Sequence, residues 1–153
     1  MREKGQSLTW RWRGGESAPV EALGDPRSTD GTRYVLCARD GADSLVVRTE
    51  APPGGACGDR PCWRALGSAG FSYQATRGGA ALRSLLVTRR GRGRRRPEVG
   101  ATAKGPALIG GDLPVTLPIT VQLEADTGAC WSASFTAADV TVNGNGRFTA
   151  ASR

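Results

Sequence analysis

The stretch Cys130-Trp131-Ser132-Ala133-Ser134-Phe135 decides the fold class. As an extended strand it sets Trp131, Ala133 and Phe135 on one face and Cys130, Ser132 and Ser134 on the other. The run Leu8–Trp12 (LTWRW) behaves alike, with Trp10 and Trp12 on a common face. Outward from these two, strand-like runs recur at Tyr34–Ala38, Ser44–Thr49, Phe71–Gln74, Leu82–Thr88, Val99–Ala103, Ile119–Leu123, Val140–Val142 and Arg147–Thr149. Breaks rich in Gly, Pro or Asp separate them, the signature of a sandwich or barrel. Helical periodicity is nearly absent; only Ala80–Val87 (AALRSLLV) has the pattern to start a helix. The expectation is an all-β, antiparallel β-sandwich, Ig-like or jelly-roll-like, forming one domain over residues 1–153.

Turn chemistry agrees with short strands. Asp30-Gly31 and Asp40-Gly41 mark turns. Asn143-Gly144 fits a tight hairpin, because both residues tolerate the positive φ of a type I′ turn. Pro114 and Pro118 cannot donate to a ladder and suit an edge or crossover leading into Ile119–Leu123. The nine aromatic residues read as core, and a sugar-stacking platform would need two or more of them exposed and coplanar.

Composition narrows the chemistry. The chain has 153 residues, 21 Lys and Arg against 14 Asp and Glu, and no histidine. Lacking His excludes Ser-His-Asp and Cys-His catalysis, imidazole metal sites and histidine pH switching. Paired carboxylates have no dense acidic motif, and Gly100–Gly105 lacks P-loop spacing. The expectation is therefore no catalytic residue, no metal and no cofactor. Leu, Ile, Val and Phe make up under a fifth of the chain, so the core is thin and the Trp and Cys residues must help hold it.

Charge is concentrated. Arg89, Arg90, Arg92, Arg94, Arg95 and Arg96 fall within RRGRGRRR, and without these six the formal charge drops from +7 to +1. Residues 89–97 read as a basic loop or hairpin tip closed by Pro97. Six guanidinium groups so close together suit phosphate, sulfate or carboxylate partners. No aromatic residue interleaves them to stack on bases.

The four cysteines allow three pairings. The expected one joins Cys57 to Cys62 as a local clasp and Cys37 to Cys130 as a long-range bridge. Two disulfides point to an oxidising compartment. Met1–Gly5 opens no signal peptide, and no apolar run reaches the 18 residues of a membrane span. An exported chain of this kind would take its export signal from outside this sequence.

Several segments together resemble a β-rich domain of uncharacterised exported bacterial proteins. They are LTWRW at Leu8–Trp12, YVLC at Tyr34–Cys37, GGACGDRPCW at Gly54–Trp63, GFSY at Gly70–Tyr73, LPVTLPITVQL at Leu113–Leu123 and GACW at Gly128–Trp131. The resemblance spans nearly the whole chain and takes in all four cysteines. It implies an exported, disulfide-bearing domain and offers no catalytic residues. The chain departs from the pattern at Arg89–Arg96, where the family tends toward Lys, Gly and Ala.

The functional expectation is a non-catalytic extracellular structural or adhesion module, with cell-surface components or further copies of itself as partners. Leu8, Trp10 and Trp12 make the N-terminal strand a candidate for exchange with a neighbour, toward an oligomer or filament. Polyanion binding through Arg89–Arg96 is the alternative, and carbohydrate binding through exposed aromatics a third.

Overall fold

The computed structural model describes residues 6–15, 18–75, 81–89, 97–105, 108, 114–145 and 147–151. Among them 57% lie in strands and 3% in helix, which makes the protein all-β. Thirteen strands run in the order β1 (Gln6–Arg13), β2 (Tyr34–Arg39), β3 (Leu45–Ala51), β4 (Ala56–Cys57), β5 (Arg60–Pro61), β6 (Trp63–Ala65) and β7 (Gly70–Gln74), then β8 (Leu82–Thr88), β9 (Glu98–Gly105), β10 (Ile119–Ala125), β11 (Cys130–Phe135), β12 (Val140–Gly144) and β13 (Arg147–Ala151). One short helix, α1 (Val20–Leu23), follows β1.

The strands form a seven-stranded sheet, β12-β13-β1-β9-β8-β7-β6, a four-stranded sheet, β11-β10-β2-β3, and the small hairpin β4-β5. Every pairing is antiparallel except β1 with β13. The alternation read from sequence sets which faces are buried. Ile119, Val121 and Leu123 of β10 are buried while Thr120, Gln122 and Glu124 between them are not. Leu8 and Trp10 are buried in β1, and Trp12 packs against the same core.

Register explains how a bulky indole fits in the middle of the larger sheet. Trp10 lies opposite Ala101 of β9 on one side and Ala150 of β13 on the other. Leu8 has one such small partner, Ala103, and faces Phe148 on its other side. Small partners beside a large side chain let neighbouring strands interdigitate at interior density. The buried residues of both large sheets belong to one cluster. Its aromatic hinge is Tyr34 of β2, whose ring centroid lies 5.5 Å from Trp63 of β6 and 6.3 Å from Trp131 of β11. Tyr34 is fully buried and donates its hydroxyl hydrogen to the Leu23 carbonyl, which ties α1 to the core. Burial raises the Tyr34 pKa far above that of an ordinary phenol, so the group stays a donor.

Three expectations need correction. Only Cys57–Cys62 is a disulfide; Cys37 and Cys130 are free thiols. Cys37 sits on β2 and Cys130 on β11, with β10 between them. Two strand spacings of about 4.8 Å put their Cα atoms beyond the roughly 7 Å reach of a disulfide. The helical option at Ala80–Val87 loses to β8, which pairs with β7 and β9. The hairpin at Asn143-Gly144 moves two residues on: Gly144 pairs with Arg147, and Asn145 takes the positive φ of 52°. Asn143 acts instead as a side-chain splint, its Oδ1 accepting from the Val115 N–H at 2.9 Å and its Nδ2 donating to the Val115 carbonyl at 3.0 Å.

The Asp-Gly turns are where they were read. Asp40 Oδ1 accepts from the Ala42 N–H at 3.0 Å and the Ser44 N–H at 2.9 Å, and the Gly31 N–H donates to Ser28.

Candidate functional site

The outward faces of the two large sheets differ in charge. The seven-stranded sheet carries Arg11, Arg13, Arg64, Arg83, Lys104 and Arg147, with Glu98 as the sole acid of its strands. The four-stranded sheet balances Arg39 and Arg48 against Glu50 and Glu124. The folded strands therefore carry a second basic feature besides the Arg run.

Register arranges the outward side chains into rows that cross the strands. One row is Thr149, Thr9, Thr102, Ser84 and Gln74, each opposite the next on β13, β1, β9, β8 and β7. It is a track of hydroxyls ending in an amide. On one side lie Arg147, Ser7 and Lys104, again in register. On the other lie Arg11, Gly100, Leu86, Ser72 and Arg64. Neighbours along a row stand about 4.8 Å apart and rows about 6.7 Å apart, so the track has cations on both flanks within side-chain reach. Gly100 leaves the floor low beside Arg11: a Cβ there would meet only Leu86, at 3.9 Å.

Arg11 and Arg13 extend past Glu98 without being buried by it. Their nitrogens approach Glu98 Oε1 at 3.6 and 3.4 Å, and the arginine side chains are 58% and 57% exposed. One carboxylate shared between two exposed guanidinium groups leaves that corner positive, and such surface pairs hold their partners weakly.

The two described ends of the Arg run, Arg89 and Pro97, flank the paired strands β8 and β9. Thr88 pairs with Glu98, so the chain leaves and re-enters the sheet at the end of the β8–β9 hairpin. The Arg89 N–H donates to the Ala69 carbonyl at 2.8 Å. Arg90, Arg92, Arg94, Arg95 and Arg96 lie outside the described residues.

At the far end of the track stands the β4-β5 hairpin. Cys57–Cys62 closes it, with its turn at Gly58-Asp59. Between hairpin and sheet opens a cleft of about 490 Å³. Its walls are Cys57, Arg60, Pro61 and Cys62, and Arg64, Ser72, Gln74 and Ala75 form its sheet side.

The other expected site residues fall elsewhere. Leu8, Trp10 and Trp12 belong to β1, whose two edges are taken by β9 and β13 of the same chain. An open sheet edge is therefore not what these residues offer. No aromatic platform exists: Trp10, Trp63, Trp131, Tyr34, Tyr73, Phe71, Phe135 and Phe148 are buried and Trp12 packs on the core. Cys37 and Cys130 lie on the outward face of the four-stranded sheet. Burial, and secondarily the Glu124 carboxylate, pushes both thiols up from their ordinary pKa.

Among the described residues, no three Cys, Asp or Glu side chains gather as a metal site requires, and no helix is long and apolar enough to cross a membrane. The track was hidden in sequence because its members come from five strands. Each shows only as a polar residue on the outward beat of an alternating strand, and their alignment is a matter of register. Compared with known protein families, curated proteins and solved structures, the chain matches none.

Proposed function

We propose that this protein is a non-catalytic, exported β-sandwich module that adheres to anionic polysaccharide through the outer face of its seven-stranded sheet. The observation that carries the reading is the hydroxyl track Thr149–Thr9–Thr102–Ser84–Gln74 with basic residues on either flank. An extended polymer lying across the strands would meet hydroxyl partners for its own hydroxyls and guanidinium groups for its anionic substituents. Multiple weak sites along one chain add up through effective concentration, which suits adhesion.

Two features favour a polysaccharide over single-stranded nucleic acid. The outward face presents no aromatic side chain on which bases would stack. Hydroxyl donors and acceptors line the track where stacking surfaces would be needed. The Cys57–Cys62 disulfide supports an oxidising compartment, and with it the exported reading.

Retention on immobilised polygalacturonate and on heparin, eluted with salt, tests this. The wild-type chain should be retained and released over a salt window set by the number of cations engaged. Replacing Thr9, Thr102 and Ser84 together with Val should shift release to lower salt while keeping every charge. Equal retention of that variant, or tighter binding to single-stranded DNA than to either polysaccharide, would sink the reading.

A further inference from the structure

The cleft beside the disulfide hairpin differs in kind from the open track. Arg60 comes from the hairpin and Arg64 from the edge strand β6, so two arginines on different elements line one cleft. Ser72 and Gln74, the floor, continue the two outward rows of the sheet, since Ser72 lies opposite Leu86 and Gln74 opposite Ser84. Pro61 and Ala75 supply small apolar surface, and among the described residues no carboxylate lines the space. At about 490 Å³ it falls within the roughly 300–1,000 Å³ usual for small-ligand sites. Its lining is about half polar and carries two cationic side chains, which suits a compact ligand with hydroxyls and one oxyanion.

We infer that this cleft is a subsite for a single acidic sugar unit, gripped through its carboxylate or sulfate by Arg60 and Arg64 and through its hydroxyls by Ser72 and Gln74. The inference rests on the polysaccharide reading and deepens it. The sheet ends at β6, and the hairpin stands across the end of the track. A polymer running along the hydroxyl row arrives at the cleft with a terminal or bent unit, so the cleft reads the unit while the track reads the chain.

The site also has a built-in dependence on oxidation. Its hairpin wall is two strands of two residues each, far too short to hold itself. The Cys57–Cys62 bond and the Cys62 N–H to Gly55 carbonyl bond at 3.2 Å keep Arg60 in place. Reduction would release that wall and leave Arg64, on β6, as the arginine still held by the sheet.

The test is titration of the labelled full chain followed by NMR, with trigalacturonate, a sulfated disaccharide from heparin, and neutral maltotriose. Trigalacturonate or the sulfated sugar should shift the amide signals of Cys62, Ser72 and Gln74, and which of the two does so identifies the oxyanion. Arg60→Gln with Arg64→Gln should weaken that binding about tenfold or more, the loss expected for charge-assisted hydrogen bonds. Ser72→Trp should block it by filling the floor, and a reducing agent should weaken it in the wild-type chain. The inference is overturned if neither acidic sugar moves those amides, if maltotriose binds equally, or if the double Arg variant binds unchanged. Polygalacturonate retention separates the two levels. Retention of the polymer without binding of either short sugar removes the cleft alone. Binding of a short sugar without polymer retention removes the track alone.

Discussion

The two large sheets of this protein share one core and present opposite characters to solvent. The four-stranded sheet is balanced, with Arg39 and Arg48 against Glu50 and Glu124. The seven-stranded sheet gathers its cations around rows of hydroxyls, with Glu98 as the only acid in its strands. Core packing does not require this. Inward residues such as Trp10, Ala101, Leu123 and Trp131 serve stability on both sheets, and the outward beat is free to vary. One-sided charge beside aligned hydroxyls is the feature on which the proposed recognition of an anion rests.

The largest effect should come from breaking what the sheets have in common. Trp63→Ala removes the ring that lies 5.5 Å from Tyr34 and 5.0 Å from Tyr73, and so unpins one sheet from the other. It should cost about 3–5 kcal/mol, typical of a buried Trp truncation. Denaturation followed by far-UV circular dichroism and by tryptophan fluorescence should give coincident midpoints, both lowered. Midpoints that separate would mean that the sheets do not share a core.

The cysteines sharpen the comparison at an intermediate scale. Removing the hairpin clasp with Cys57→Ser and Cys62→Ser should lower stability by about 2 kcal/mol, the chain-entropy value for so short a loop. Cys37→Ser and Cys130→Ser, on the other sheet, should each stay within about 0.5 kcal/mol, as expected of partly exposed positions without a bond to lose. A loss at Cys37 and Cys130 as large as that at the clasp would restore the second disulfide. Thiol titration of the unfolded, unreduced chain should find the two free thiols.

A smaller effect tests the outward face of the four-stranded sheet. Burial and the Glu124 carboxylate raise the pKa of Cys37 and Cys130, so less thiolate is present at neutral pH than for an ordinary thiol. Alkylation should thus be slow at pH 7 and keep accelerating at pH values where a free cysteine has levelled off. Glu124→Gln removes a negative charge near both thiols, lowers both pKa values and should speed alkylation at pH 7 to 8. Unchanged rates would place Glu124 out of reach of the two sulfurs.

Much of this fold was legible in the sequence. Ten strands were readable because turn residues bound each run and several alternate, as in CWSASF, where Trp131 and Phe135 are buried and Cys130 is exposed. The strands Ala56–Cys57, Arg60–Pro61 and Trp63–Ala65 were not, because two or three residues are too few to show a period. The Cys37–Cys130 bridge failed for a related reason. Alternation places both cysteines on outward beats, and only strand order puts β10 between them. The candidate site was illegible in the same way. Arg11, Thr102 and Gln74 are ordinary outward residues of β1, β9 and β7, and pairing across long sequence separations makes them neighbours. The Arg run drew attention in sequence because it is contiguous. The basic face did not, because it is assembled.

The most direct test of that face is a matched removal of charge from the two sheets, read as the salt dependence of polygalacturonate binding. One variant replaces Arg11 and Arg147 with Ser on the seven-stranded sheet; the other replaces Arg39 and Arg48 with Ser on the four-stranded sheet. The first should weaken binding and flatten its dependence on salt by about one phosphate-equivalent contact per engaged arginine, while the second should leave both near wild type. Equal losses from the two variants would show binding driven by net charge alone and would contradict the claim that one face is built for it.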